Sequence, residues 1–302
     1  IMEQRNITAI NGSTTEAQDC IVDTSYKYVF YQVIYSIIFI IGLGANCLAF
    51  KMWLQFSKIT STTVYMINLS IADLVFVISL PMRIYYYTFH KWPATEVFCR
   101  LTFTLKYISL YGSIFFLTCI GIDRYFAMVL PLTKKLRKVS TARFISVCMW
   151  CFILTLSISI PFLWSAPAPK PKPCSVDLST KRNKLFIICI LSLVEAAFIL
   201  PLFVLLFSYC SVVKTLKRPS LIQRKAAAYK PMKIIYSGLC IFLICFSPYH
   251  FNLFWFTLSR TKIMQNCTLA QITQILHPIV LSIASMNCCL NPLIYYFSSY
   301  RF

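Results

Sequence analysis

Residues 101–128 read LTFTLKYISLYGSIFFLTCIGIDRYFAM. The apolar run Leu101–Ile122 carries a single charge, Lys106, and then meets the triplet Asp123-Arg124-Tyr125. A helix needs roughly 20 apolar residues to cross a bilayer, and an acid–base pair at the membrane boundary is expensive unless it has a partner or a task. Just beyond, Pro131 and the basic residues Lys134, Lys135, Arg137 and Lys138 mark the exit to the cytoplasmic side.

Working outward, that run extends over 96–130, and six others flank it at 28–54, 62–87, 142–163, 184–213, 231–258 and 270–297. With their connections they nearly exhaust the 302 residues and leave no room for a soluble catalytic domain. The pattern predicts an all-α membrane protein, a seven-transmembrane helix bundle with its N-terminus outside. Residues 1–27 form a polar extracellular segment and 28–302 the membrane domain. No apolar stretch precedes the first span, so that span is expected to insert an outside N-terminus without a signal peptide. The chain stops at Phe302 without a cytoplasmic tail, which reads as truncation.

Composition agrees: 58% of residues are hydrophobic and 13% charged, against about 25% charged in soluble domains. The net charge of +20 sits largely in loops after the first, third and fifth spans, as the positive-inside rule requires. Nucleic acid is excluded as a partner because no basic–aromatic module lies outside the spans. Catalysis is excluded on similar grounds. His90, His250 and His277 are the only histidines, and none has Cys or carboxylate at metal-ligand spacing. Asn6, Asn11 and Asn266 open glycosylation sequons. Most of the 14 cysteines lie inside spans; Cys20, Cys99, Cys174 and Cys267 lie outside them or at their ends, an even set that suggests two disulfides.

One marker per span appears in order: Gly44-Ala45-Asn46, Leu69-Ser70-Ile71-Ala72-Asp73, Cys99 with Asp123-Arg124-Tyr125, Trp150, Pro201 with Tyr209, Cys245-Phe246-Ser247-Pro248, and Asn291-Pro292-Leu293-Ile294-Tyr295. The ordered set resembles the rhodopsin-like G-protein-coupled receptors. The resemblance implies a plasma-membrane receptor coupled to a heterotrimeric G protein. Asp123, Arg124 and Tyr125 would meet that G protein, with Tyr209 or Tyr295 receiving Arg124 on activation. Pro248 would bend the sixth span, Phe246 would sit under the ligand as part of the switch, and Asn291 and Pro292 would belong to the same switch. It also implies disulfides Cys99–Cys174 and Cys20–Cys267. Asn46, Asp73 and Asn291 would form a buried polar cluster, either a sodium site at Asp73 or interhelical hydrogen bonding. Asn291 replaces an acid common in relatives. No other cofactor is implied.

The ligand is read from charge. Where aminergic receptors carry an Asp eighteen residues before the Arg of the triplet, this chain has Lys106, which disfavours amines and invites an anion. Arg83 is a second cation in the outer half of a span. Each alone could snorkel to the surface; together they suit phosphate. Arg83, Lys106, Tyr107, Arg260 and His277 are the candidate ligand residues. Stretches such as Pro81-Met82-Arg83-Ile84-Tyr85-Tyr86 and Cys245-Phe246-Ser247-Pro248-Tyr249-His250 are similar to the lysophosphatidic acid, lysophosphatidylserine and purinergic receptor cluster. The resemblance favours an anionic lysophospholipid, with a nucleotide or a ligand-independent receptor as alternatives.

Overall fold

The computed structural model describes residues 22–54, 59–92, 96–130, 137–164, 184–216, 225–261 and 263–299. The helices are α1 (Tyr26–Leu54), α2 (Ser61–Phe89), α3 (Glu96–Met128), α4 (Val139–Trp164), α5 (Lys184–Leu216), α6 (Lys225–Ile241), α7 (Ser247–Arg260), α8 (Cys267–Ser285) and α9 (Asn287–Ser299). A π-helical turn, Phe242–Phe246, joins α6 to α7, and Met286 alone separates α8 from α9. The sixth and seventh spans are therefore each built from two helices. Seven segments are long and apolar enough to cross a membrane. There are no strands among the described residues.

Helix α3 is the axis of the bundle. It packs against α2, α4, α5 and α6, and 78% of its apolar window is buried, against 22% for α4. Its small residues make this possible. A methyl on Gly112 would stand 2.8 Å from the Ala72 Cβ, and one on Gly121 would stand 2.5 Å from Leu205 Cδ2. Between apolar helices in lipid, close packing of small residues replaces the hydrophobic effect as the source of association. The outward faces carry Ile40, Leu48, Phe144, Phe203 and Phe251, all exposed and all suited to acyl chains.

Polar side chains inside the spans find partners locally. Hydroxyls of Thr118, Ser146, Thr273 and Ser285 donate to carbonyls four residues earlier, which satisfies them where water is absent. The Thr60 and Asn266 side chains cap α2 and α8 by accepting from Thr63 N and Leu269 N. Trp150 Nε1 donates to Asn68 Oδ1 at 2.7 Å and ties α4 to α2.

The breaks in the last two spans have a common cause. Proline supplies no N–H to the carbonyl four residues before it. Pro248 leaves Ile244 in that position, and the backbone widens to the π turn just ahead of it. Pro292 leaves Cys288, whose carbonyl instead accepts Asn46 Nδ2 from α1 at 2.8 Å. This corrects the expectation that Asn46 joins Asp73. Its amide group donates to backbone, to Gly42 O at 2.9 Å and Cys288 O, because a proline across the interface leaves a carbonyl to be filled. Asn46→Leu should thus lower stability by about 1–3 kcal/mol, the cost of a buried group left unpaired; the thermal midpoint of the purified protein in detergent checks it.

Candidate functional site

Three polar assemblies lie along α3. At the end carrying Asp123, the Ser61 and Thr62 hydroxyls donate to the two Asp123 carboxylate oxygens. Arg124 pairs with Asp123 at 2.7 Å and also donates to the Thr62 hydroxyl. Arg137 Nε stands 3.9 Å from the same carboxylate. Asp123 is buried, and this ring of donors compensates its charge. Tyr125 turns away to α5, its ring 5.7 Å from Phe207. Tyr209 packs on Tyr236 of α6 at 6.3 Å. The Tyr295 side chain lies outside the described residues. Phe246 is fully buried and meets Phe242 edge-on at 5.5 Å.

Midway along α3, Asn291 Nδ2 donates to both oxygens of Asp73, at 3.1 and 3.0 Å. The Ser113 hydroxyl lies 3.2 Å from Asp73 and 3.4 Å from Asn287 Oδ1, one proton for two acceptors. Asp73 is fully buried. The cluster is therefore Asp73, Ser113, Asn287 and Asn291, without Asn46. Sequence reasoning missed Ser113 and Asn287; Ser113 sits eleven residues before Arg124 on the most buried helix, a register from which it could have been found. Does this cluster suit sodium? Asn291 Oδ1 is buried without a partner. With the Asp73 carboxylate and the Ser113 and Asn287 oxygens it makes an all-oxygen set of the kind hard cations take. Those residues would hold the ion.

The third assembly is nearer the Cys99 end. Arg83 and Lys106 are both buried and flank one ring: Arg83 Cζ is 5.4 Å and Lys106 Nζ 5.7 Å from the Phe103 centroid. Lys106 also lies 4.5 Å over the Tyr107 ring. Arg83 donates to the Thr102 carbonyl, and its Nε is buried without a partner. The carboxylates with described side chains are all engaged elsewhere: Asp23 with Ser25, Asp73 and Asp123 as above, and Glu195 with His250 Nδ1 at 3.6 Å. Two like charges thus share one aromatic ring with no described carboxylate beside them. This is a costly arrangement unless an anion arrives.

The other candidates fall around this pair unequally. His277 is half-buried in the wall, 3.4 Å from Asn252 Nδ2 and stacked on Phe256 at 4.5 Å. Arg260 ends α7 and is exposed. His250 is fully buried, stacked on Phe198 at 4.4 Å. Cys99 and Cys267 are disulfide-bonded; their expected partners Cys174 and Cys20, like Asn6 and Asn11, lie outside the described residues. Asn266 is exposed.

Residues 45–295 match the family described as "7 transmembrane receptor (rhodopsin family)". Among curated proteins, lysophosphatidic acid receptor 6 of Gallus gallus is 36% identical over 290 residues, covering 94% of each chain. The Homo sapiens protein of that name is 34% identical, covering 95% of this chain and 85% of its own. A Homo sapiens protein provisionally named a purinoceptor is also 34% identical, covering 96% of this chain and 87% of its own.

Proposed function

Given that the chain belongs to the rhodopsin family of seven-transmembrane receptors, which are plasma-membrane proteins acting through G proteins and not enzymes, we propose that its ligand is an anionic lysophospholipid bound from outside. The observation that carries this is the pairing of Arg83 and Lys106 on Phe103 without a described carboxylate. A phosphate suits both partners, Arg through its forked donors and Lys as a point charge. The names of the lysophosphatidic acid receptors among the relatives support the same headgroup chemistry. Tyr107, Arg260 and His277 complete the proposed site, with an acyl chain running between apolar helix faces. The N-terminus lies outside, and the Arg124 end faces the G protein.

Activation, in this proposal, breaks the Asp123 assembly. Arg124 leaves Asp123 and Thr62 and turns toward Tyr209 or Tyr295, while the sixth span pivots at the π turn before Pro248. A ligand can only shift this equilibrium through its differential affinity for the two states. Weakening the resting contacts has the same direction of effect without ligand. Asp123→Asn removes the charge that holds Arg124 and should raise basal G-protein signalling several-fold; unchanged basal signalling at equal surface expression would remove this contact from the switch. A panel of lysophosphatidic acid, lysophosphatidylserine and nucleotides, applied to cells expressing the receptor, tests the ligand class. Responses to nucleotides alone would overturn the lipid assignment.

A further inference from the structure

The Asp123 assembly holds a second guanidinium that the switch described above does not use. Asp123 is buried, and its two carboxylate oxygens face different cations. Oδ2 accepts from the Thr62 hydroxyl and pairs with Arg124 at 2.7 Å. Oδ1 accepts from the Ser61 hydroxyl and faces Arg137 Nε at 3.9 Å. That separation is an ion pair but too long for a hydrogen bond, and Arg137 Nε is buried without a hydrogen-bond partner. The Arg137 side chain is 35% exposed, against 14% for Arg124. Arg137 lies in a turn two residues ahead of Val139, the first residue of α4, and so stands at the rim of the assembly.

Two like charges share one carboxylate, and each weakens the other's hold on it. While Arg124 is paired, Asp123 is already compensated and Arg137 gains little by closing. Once Arg124 turns away, Asp123 would keep only the Ser61 and Thr62 hydroxyls, and a buried carboxylate without a cation is costly. An approach of about 1 Å would bring Arg137 to the distance of a charge-assisted hydrogen bond. It can begin this approach before Arg124 has left, because the two cations address opposite oxygens.

We propose that Arg137 is a replacement cation for Asp123: it closes on the carboxylate as Arg124 departs and so eases the opening of the switch. The proposal rests on the Arg124 switch of the preceding subsection and is independent of the ligand's identity. Both parts of the argument have one sign. Without the Arg137 charge, the Arg124–Asp123 pair is firmer at rest, and Asp123 stays uncompensated after it opens. Arg137→Gln should favour the resting state by about threefold to fivefold, the effect of a partly exposed ion pair.

The test is the affinity of the purified, ligand-free receptor in detergent for nucleotide-free G-protein α subunits, one of each class, with the melting temperature followed in parallel. Arg137→Gln should raise the half-saturating concentration about threefold to fivefold at an unchanged melting temperature, and Arg137→Lys should restore most of the affinity. Asp123→Asn should lower the half-saturating concentration several-fold, and adding Arg137→Gln to it should change nothing further. Arg137→Met carries the same expectations should Arg137→Gln fail to fold. If the unsubstituted receptor binds too weakly to titrate, the comparison is made in Thr62→Val, which keeps the carboxylate and removes the hydroxyl shared by Asp123 and Arg124. An equal loss of affinity in the Asp123→Asn background would place Arg137 against the α subunit itself and overturn the proposal. So would tighter binding, or no change, in Arg137→Gln alone. These outcomes leave the Arg124 switch standing, whereas an Asp123→Asn receptor of unchanged affinity would remove the switch and the proposal with it.

Discussion

An Arg83→Glu receptor should reach the cell surface in near-normal amounts and lose about 100-fold or more in potency toward lysophosphatidic acid and lysophosphatidylserine. Arg83 and Lys106 flank the same Phe103 ring, so a carboxylate introduced beside Lys106 would neutralise the second cation as well as removing the first. Breaking a buried charge pair by changing one partner costs about 3–5 kcal/mol, and about 1.4 kcal/mol is tenfold in affinity; a loss of about 100-fold is the lower end of that range. Folding should tolerate the change, because it replaces two uncompensated like charges with an opposite pair. Lys106→Glu should behave alike. Dose–response curves with surface expression measured in parallel decide the matter, and an undiminished response in either variant removes that residue from the ligand site.

The second large effect is steric. Gly112→Ala should destabilise the bundle by about 1–3 kcal/mol, although alanine is favoured over glycine in a helix interior by about 1 kcal/mol. The new methyl would sit 2.8 Å from the Ala72 Cβ. Ordinary carbon–carbon contact is about 3.5–4.0 Å, and neither atom has a rotamer to escape into, so α2 and α3 must separate. Their neighbours in sequence are Asp73 and Ser113, whose 3.2 Å contact would be lost with the packing. Gly44→Ala is the matched control: nothing lies within 4 Å of its added methyl, and it should leave stability unchanged or slightly raised. Thermal midpoints of the two variants in detergent distinguish steric overlap from propensity.

The Arg124 region was legible in the sequence because its chemistry is local. Adjacent Asp123 and Arg124 at the end of a nearly charge-free run have few alternatives to pairing. The seven spans were legible for the same reason, since a bilayer imposes length and apolarity on each segment separately. Arg83 and Lys106 could be named as cations, but their common position on Phe103 depends on how α2 is rotated against α3. Asn46 shows the limit most clearly. As a buried amide it could serve any acceptor within reach, and nothing in its own stretch points to the carbonyl orphaned by Pro292, far along the chain.

The order of amino acids was enough for the number of apolar spans and the family, because each follows from the composition of one segment or one short motif. Which polar groups meet came only from the packed bundle: Ser113 and Asn287 at Asp73, Ser61 and Thr62 at Asp123, Arg83 and Lys106 on Phe103. Those meetings depend on helix rotation and spacing, which small residues such as Gly112 and Ala72 set by how closely two backbones approach. Hydropathy constrains a helix along its axis and leaves its rotation free, so a partner on another helix becomes fixed only when the bundle closes.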